Sequence, residues 1–199
     1  MVQDQLICKK QQCFSYKQYR HFMHQLVEEG KTSGKEQSES LINLTMLNDR
    51  RMRRWEKTVN VTEDIKARLM QFKGKVIWVV IAESWCADGA HMLPIMQKIA
   101  EQSDRIDLRI VLRDENEAFM DRFLTNGGRA IPKLVMIDNE TKEVMETYGP
   151  RPSDVTKIVE EFKLTYGKLT PEFKAGLQRW YNTDKGQTIM EDLLNLLGV

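Results

Sequence analysis

Cysteine is scarce in this chain of 199 residues: there are three, an odd number and too few for a disulfide scaffold. That scarcity suits a reducing compartment. Long apolar runs are also missing, since no stretch approaches the roughly 20 residues of a membrane span. The start Met1-Val2-Gln3-Asp4 shows no basic region followed by an apolar one. A cytoplasmic protein with no membrane partner is expected. Charge of one sign is lacking too, because 30 Lys and Arg against 29 Asp and Glu leave a net +1. Such balance argues against a bulk electrostatic partner such as duplex DNA. There is no internal repeat and no long low-complexity tract.

Against these absences one feature stands out. The apolar run Val76-Ile77-Trp78-Val79-Val80-Ile81 leads into Trp85-Cys86-Ala87-Asp88-Gly89 and then into a helical pattern carrying Pro94. A cysteine at a helix start meets unsatisfied backbone N–H groups and the positive end of the helix dipole, which favour the nucleophilic thiolate. Asp88 complicates this, because a carboxylate in the first turn stabilises the dipole yet repels a neighbouring thiolate. About 45 residues further on, Arg129-Ala130-Ile131-Pro132 precedes the strand-like run Leu134-Val135-Met136-Ile137. Proline at a strand start gives up no ladder hydrogen bond, and an Ile-Pro bond can be cis where a tight turn demands it.

Over roughly Val76 to Tyr166 the chain resembles the thioredoxin superfamily. The likeness rests on Trp85-Cys86, on Pro94 in the following helix, on Asp114-Glu115-Asn116, and on Arg129-Ala130-Ile131-Pro132 facing the sulfur. It is also similar to a bacterial group of thioredoxin family proteins whose motif reads Trp-Cys-x-Asp. The resemblance implies an α/β thioredoxin fold with a βαβαββα core, a mixed sheet flanked by helices. The departures matter equally. Gly89 stands where thioredoxins carry the second cysteine, so Cys86 has no local partner to resolve a mixed disulfide. Val80 replaces the buried acid that thioredoxins place before the nucleophile.

Both losses leave two readings. In the first, Cys86 is the catalytic group of a monothiol thiol–disulfide oxidoreductase, released by an external thiol. In the second, the fold is a redox-inactive module that binds a peptide or protein. By resemblance Trp85, Ala87, Asp88, Gly89, Arg129, Ile131 and Pro132 form the binding rim. Ile131 would offer its backbone to an extended ligand, and Arg129 would hold a ligand carboxylate. The implied partner is a thiol- or disulfide-bearing protein, or a small thiol such as glutathione, with no nucleic acid, no cofactor and no metal. Cys8, Cys13, His21 and His24 superficially suggest a zinc set, but their spacing departs from the usual finger. Cys8 or Cys13 remains a distant candidate to resolve Cys86. Oligomeric state is left open.

Periodicity divides the chain into an N-terminal helical extension packed on the core (1–60), a thioredoxin-like unit (61–167) and a C-terminal helical tail (168–199). A helix is expected from about Phe14 to Glu28 and another from near Ser38, with Leu41, Leu44, Leu47, Met52, Trp55 and Val59 as its apolar stripe. The arginines in Arg50-Arg51-Met52-Arg53-Arg54 read as the wet face of that helix. Within the core we read strands 75–82, 106–112, 133–138 and 142–147, with helices 88–102, 115–125 and 152–166. Thr62 and Thr170-Pro171 mark further helix starts, and a last helix follows Thr183. Glu83 reads as a solvated loop carboxylate, and His91 lies more than a helical turn from Cys86.

Overall fold

A computed structural model describes residues 13–199. Cys8 and the terminal run Met1 to Asp4, on which two expectations rest, lie outside the described residues. The element order is α1 (Tyr16–Glu28), α2 (Glu39–Thr58), α3 (Glu63–Leu69), β1 (Val76–Ala82), α4 (Ala87–Ala100), β2 (Ile106–Leu112), α5 (Glu117–Met120), β3 (Lys133–Asp138), β4 (Val144–Tyr148), α6 (Ser153–Tyr166), α7 (Pro171–Asp184) and α8 (Gln187–Leu197). From β1 to α6 this is the βαβαββα order. The four strands form one sheet in the order β2-β1-β3-β4. β1 pairs parallel with β2 and antiparallel with β3, and β3 and β4 form an antiparallel hairpin.

β1 is apolar at every position because it is central and covered on both faces. Its alternation still sorts side chains. Val76, Trp78, Val80 and Ala82 join the larger core with α4 and α8, whereas Val79 and Ile81 join a smaller cluster with Val111, Val135, Ile137 and Cys86. The site sulfur therefore belongs to the smaller layer. Pro94 lies inside α4, where it withholds a backbone donor. α4 is buried continuously from Gly89 to Met96 and packs between α2 and α8 as well as on the sheet.

The tail is anchored by α8, which buries Ile189, Met190, Leu193, Leu194 and Leu197. At about 1.5–3 kcal/mol for each fully buried side chain, that stripe is the main force docking it. α6 and α7 share a separate small cluster of Val155, Val159 and Leu177. Ser15 caps α1 with a reciprocal box to Gln18, and Thr62 and Thr170 cap α3 and α7, as their sequence positions suggest.

Three expectations need correction. The stretch read as helix 115–125 holds only one turn, Glu117–Met120, because Arg122 and Phe123 bond three residues back instead of four and the chain then turns through Asn126 and Gly127 at positive φ. α2 does not pack through the expected leucine stripe. Its buried face is Thr45, Asn48, Asp49, Met52 and Trp55, and Leu47 is 42% exposed. Thr45 and Asn48 of that face are matched by Ser84 in the loop before Cys86, and Asp49 by Arg20 of α1 and Arg53. Glu83 is not solvated but 1% exposed, for the same reason.

Candidate functional site

The loop between β1 and α4 is held by a buried polar cluster whose partners come from α2 and from the loop before it. Ser33 N–H donates to Ser84 Oγ at 2.9 Å, and Ser84 N–H donates to Ser33 Oγ at 2.8 Å. Thr45 Oγ1 lies 2.8 Å from Ser84 Oγ, and Asn48 Nδ2 donates to Ser84 O at 2.9 Å. Ser33 Oγ also donates to Glu83, whose other oxygen accepts from Asp114 N–H at 2.9 Å. Burial pushes the Glu83 carboxyl up despite these two donors. Satisfied hydrogen bonding in a dry interior makes such a cluster rigid, and it fixes the backbone that carries Trp85 and Cys86.

Cys86 is the N-cap of α4 and its Sγ accepts from Gly89 N–H at 3.4 Å. The thiol donates to Ile131 O at 3.2 Å, and the Ile131–Pro132 bond is cis. Cys86, Gly89, Ile131 and Pro132 thus lie together. The thiol is only 7% exposed, and it is not the accessible thiolate that a helix start suggests. Burial, then the Asp88 charge, push its pKa up to about 12, against the N–H of Gly89 and the Arg151 guanidinium. A Cβ on Gly89 would stand 3.6 Å from Cys86 Sγ, in ordinary contact, so position 89 is where a resolving thiol would meet the sulfur. Cys86 is free, whereas Cys13 is disulfide-bonded; this takes Cys13 away as a free thiol to resolve Cys86 and runs against the reducing compartment expected from the scarcity of cysteine.

Asp88 faces inward. Its Oδ1 accepts from Tyr181 Oη at 3.0 Å and its Oδ2 pairs with Arg151 Nε at 3.0 Å. Burial raises its pKa, and those partners oppose the rise. Arg151 arrives on a loop whose Gly149 has φ +102°, with the position of a Cβ only 2.3 Å from Pro132 O. The two proline loops therefore touch, and only glycine allows it. His91 accepts from Trp55 Nε1 at Nδ1 (2.8 Å); an indole can only donate, so the ring proton sits on Nε2 and goes to Gln178 Oε1 at 2.8 Å. The ring stacks on Tyr181 at 4.2 Å, and burial lowers its pKa to about 4.

Of the remaining rim residues, Trp85 is half-buried under the Arg113 guanidinium, 4.9 Å from its ring centroid. Ala87 is half-buried in the first turn of α4. Arg129 is exposed and points its donors at Asp121 (2.6 and 2.8 Å) and Glu117 (2.8 Å), so a ligand carboxylate there competes with two acids of the chain itself. Sequence reading missed Arg151, Tyr181, Asn48 and Ser33. The Gly149-Pro150-Arg151-Pro152 run was a usable signal, because a glycine and two prolines in four residues mark a loop of fixed shape. Nothing local ties Tyr181 to Asp88.

A family model described as thioredoxin matches residues 34–163 of the chain. Comparison with curated proteins gives no match. Among solved structures, a Pseudomonas aeruginosa protein of unknown function superposes with a TM-score of 0.62 at 16% identity, covering 93% of this chain and 98% of its own. An HIV epitope-scaffold superposes with a TM-score of 0.59 at 15% identity, covering 88% of this chain and 96% of its own. At such identities the likeness is one of fold. Among the described residues no helix is long and apolar enough to cross a membrane.

Proposed function

The chain belongs to the thioredoxin family, and from that premise we propose that it is a monothiol thiol–disulfide exchange protein of the Trp-Cys-x-Asp type, acting through Cys86. The observation that carries this reading is the placement of one free sulfur at the N-cap of α4, 3.2 Å from the carbonyl that precedes Pro132. Cys86 rests as a neutral thiol. On losing its proton to solvent, the thiolate attacks one sulfur of a substrate disulfide; a Cys86–sulfur bond forms, the substrate S–S bond breaks, and the other half leaves as a thiolate. With Gly89 in the resolving position, a second thiol from outside attacks the mixed disulfide and returns Cys86. Trp85, Ala87 and Asp88 flank the approach, and Arg129 is available to a ligand only by exchange with Asp121 and Glu117.

A second reading, a redox-silent binding module, is favoured by the same thiol's burial and by its use of the Ile131 carbonyl that an extended ligand would need. The two separate in one experiment. Native protein is incubated with glutathione disulfide and the adducts are mapped by mass spectrometry. Exchange chemistry gives a mixed disulfide on Cys86 that forms faster as pH rises and is released by added thiol. Absence of that adduct on the native protein, with ready formation after unfolding, selects the binding module.

A further inference from the structure

Three arginines, Arg51, Arg113 and Arg151, are tied to the Cys86 loop or to the first turn of α4, and among the described ion pairs only Arg51 of the three has no acid. Arg151, whose side chain is 24% exposed, is the only one held by Asp88 among the described ion pairs. Arg113 is paired with Asp114 at 2.8 Å. Arg51 projects from α2 and is half-buried; it donates to Asn48 Oδ1 at 2.9 Å, and Asn48 in turn holds Ser84 O, two residues before Cys86. Among the described residues Arg51 has no carboxylate within ion-pair distance. Burial and the Arg54 charge lower its pKa, and the Asp88 charge only partly compensates. Arg54 itself donates to the neutral amide of Asn182. The other acid nearby, Glu83, is buried behind the loop and occupied by Ser33 and Asp114.

A half-buried guanidinium with spare donors and no acid is stabilised by an arriving anion, and the planar fork suits a carboxylate. We propose that Arg51 and Arg151 form an anion-reading rim beside Cys86 that selects small disulfides bearing carboxylates, of which glutathione disulfide is one. The inference rests on the exchange reading for its substrate but on the arginines for its selectivity. It also moves the carboxylate-holding role from Arg129, which two acids hold, to Arg51 of α2, which no described acid holds, and to Arg151 of the loop after β4, which Asp88 alone holds. Arg51 is a specificity-determining residue on α2, within the stretch that the family model matches.

Iodoacetate and iodoacetamide test this, because they alkylate with the same leaving group and differ in charge. Rates at Cys86 are followed on its own peptide by mass spectrometry, and their ratio is compared with that of a free small thiol. Wild type should favour iodoacetate by about 5-fold over the free-thiol ratio at low salt, with the preference shrinking as salt is added. Arg51→Gln should remove most of it, and Arg51→Lys should retain part. An unchanged ratio in Arg51→Gln overturns the rim and leaves the exchange reading intact. A preference that tracks Arg51, without any mixed disulfide from glutathione disulfide, keeps the rim and overturns exchange. A Cys86 that neither reagent labels in the native protein overturns both.

Discussion

Replacing Gly149 by alanine should disturb the site from outside it. The residue has φ +102°, and an added Cβ meets Pro132 O at 2.3 Å and Pro132 C at 3.4 Å. A non-glycine residue held in such a sparsely populated backbone region costs about 1–3 kcal/mol. The overlap adds to this, because a carbon–oxygen contact needs roughly 1 Å more room and both neighbours are backbone. Together about 3–5 kcal/mol is expected, which for a chain of this size is a fall in Tm of about 6–20 °C. If the loop yields instead, Arg151 is the residue that moves, and Asp88 Oδ2 loses its 3.0 Å ion pair. Urea unfolding and the rate of Cys86 alkylation should be measured on the same preparation. A loss below about 1 kcal/mol with unchanged alkylation would show that Gly149 does not set the contact between the two proline loops.

Ser84→Ala removes the acceptor for Ser33 N–H and the partner of Thr45 Oγ1; an orphaned buried donor costs about 1–3 kcal/mol, so unfolding should move by that amount, and a neutral effect refutes the clamp. Asp88→Asn keeps an acceptor for Tyr181 and removes the charge that helps push the Cys86 thiol up. Its alkylation midpoint should fall by about one pH unit while staying above the unperturbed ~8.5, because burial remains. His91 is neutral when folded, with a pKa of about 4 against 6.5 unfolded. Its folded pKa is depressed, so the unfolded chain binds more protons and stability drops as pH falls from about 6.5 to 4, by up to about 3 kcal/mol. Glu83 and Asp88, with raised values, act in the opposite direction; the difference between wild type and His91→Gln isolates the histidine, and equal pH slopes would refute its assignment.

The central strand and the Cys86 turn were legible because they are local. Val76 to Ile81 announce a buried strand through an unbroken apolar run, and a cysteine before a capped helix and a proline before a strand are properties of a few adjacent residues. The polar face of α2 was not legible in that way. Leu41, Leu44 and Leu47 have helical spacing, yet Thr45 and Asn48 face inward because Ser84 offers partners across 39 and 36 residues. Glu83 misled for the same reason: a carboxylate in a loop is ordinarily wet, and only Ser33, reached over 50 residues, removes it from water. The acidity expected of Cys86 came from the helix start, with Asp88 already set against it in the sequence; what the sequence did not show is the burial, which is the larger push. Burial and Asp88 outweigh the dipole, and Asp88 is turned inward by Tyr181 at a separation of 93 residues.

The antiparallel bridge between Phe14 and Ile110, with 2.8 Å bonds in both directions, sits on the outer side of β2. A four-stranded sheet has two margins where unpaired backbone can recruit a foreign strand. Here one of them is blunted by the chain itself, just before α1 begins. The remaining margin is β4, five residues long with Met145, Glu146 and Thr147 exposed. A foreign strand approaching β2 must therefore displace the chain's own backbone at Ile110, and trimming the segment around Phe14 would free the Ile110 donor and acceptor for it.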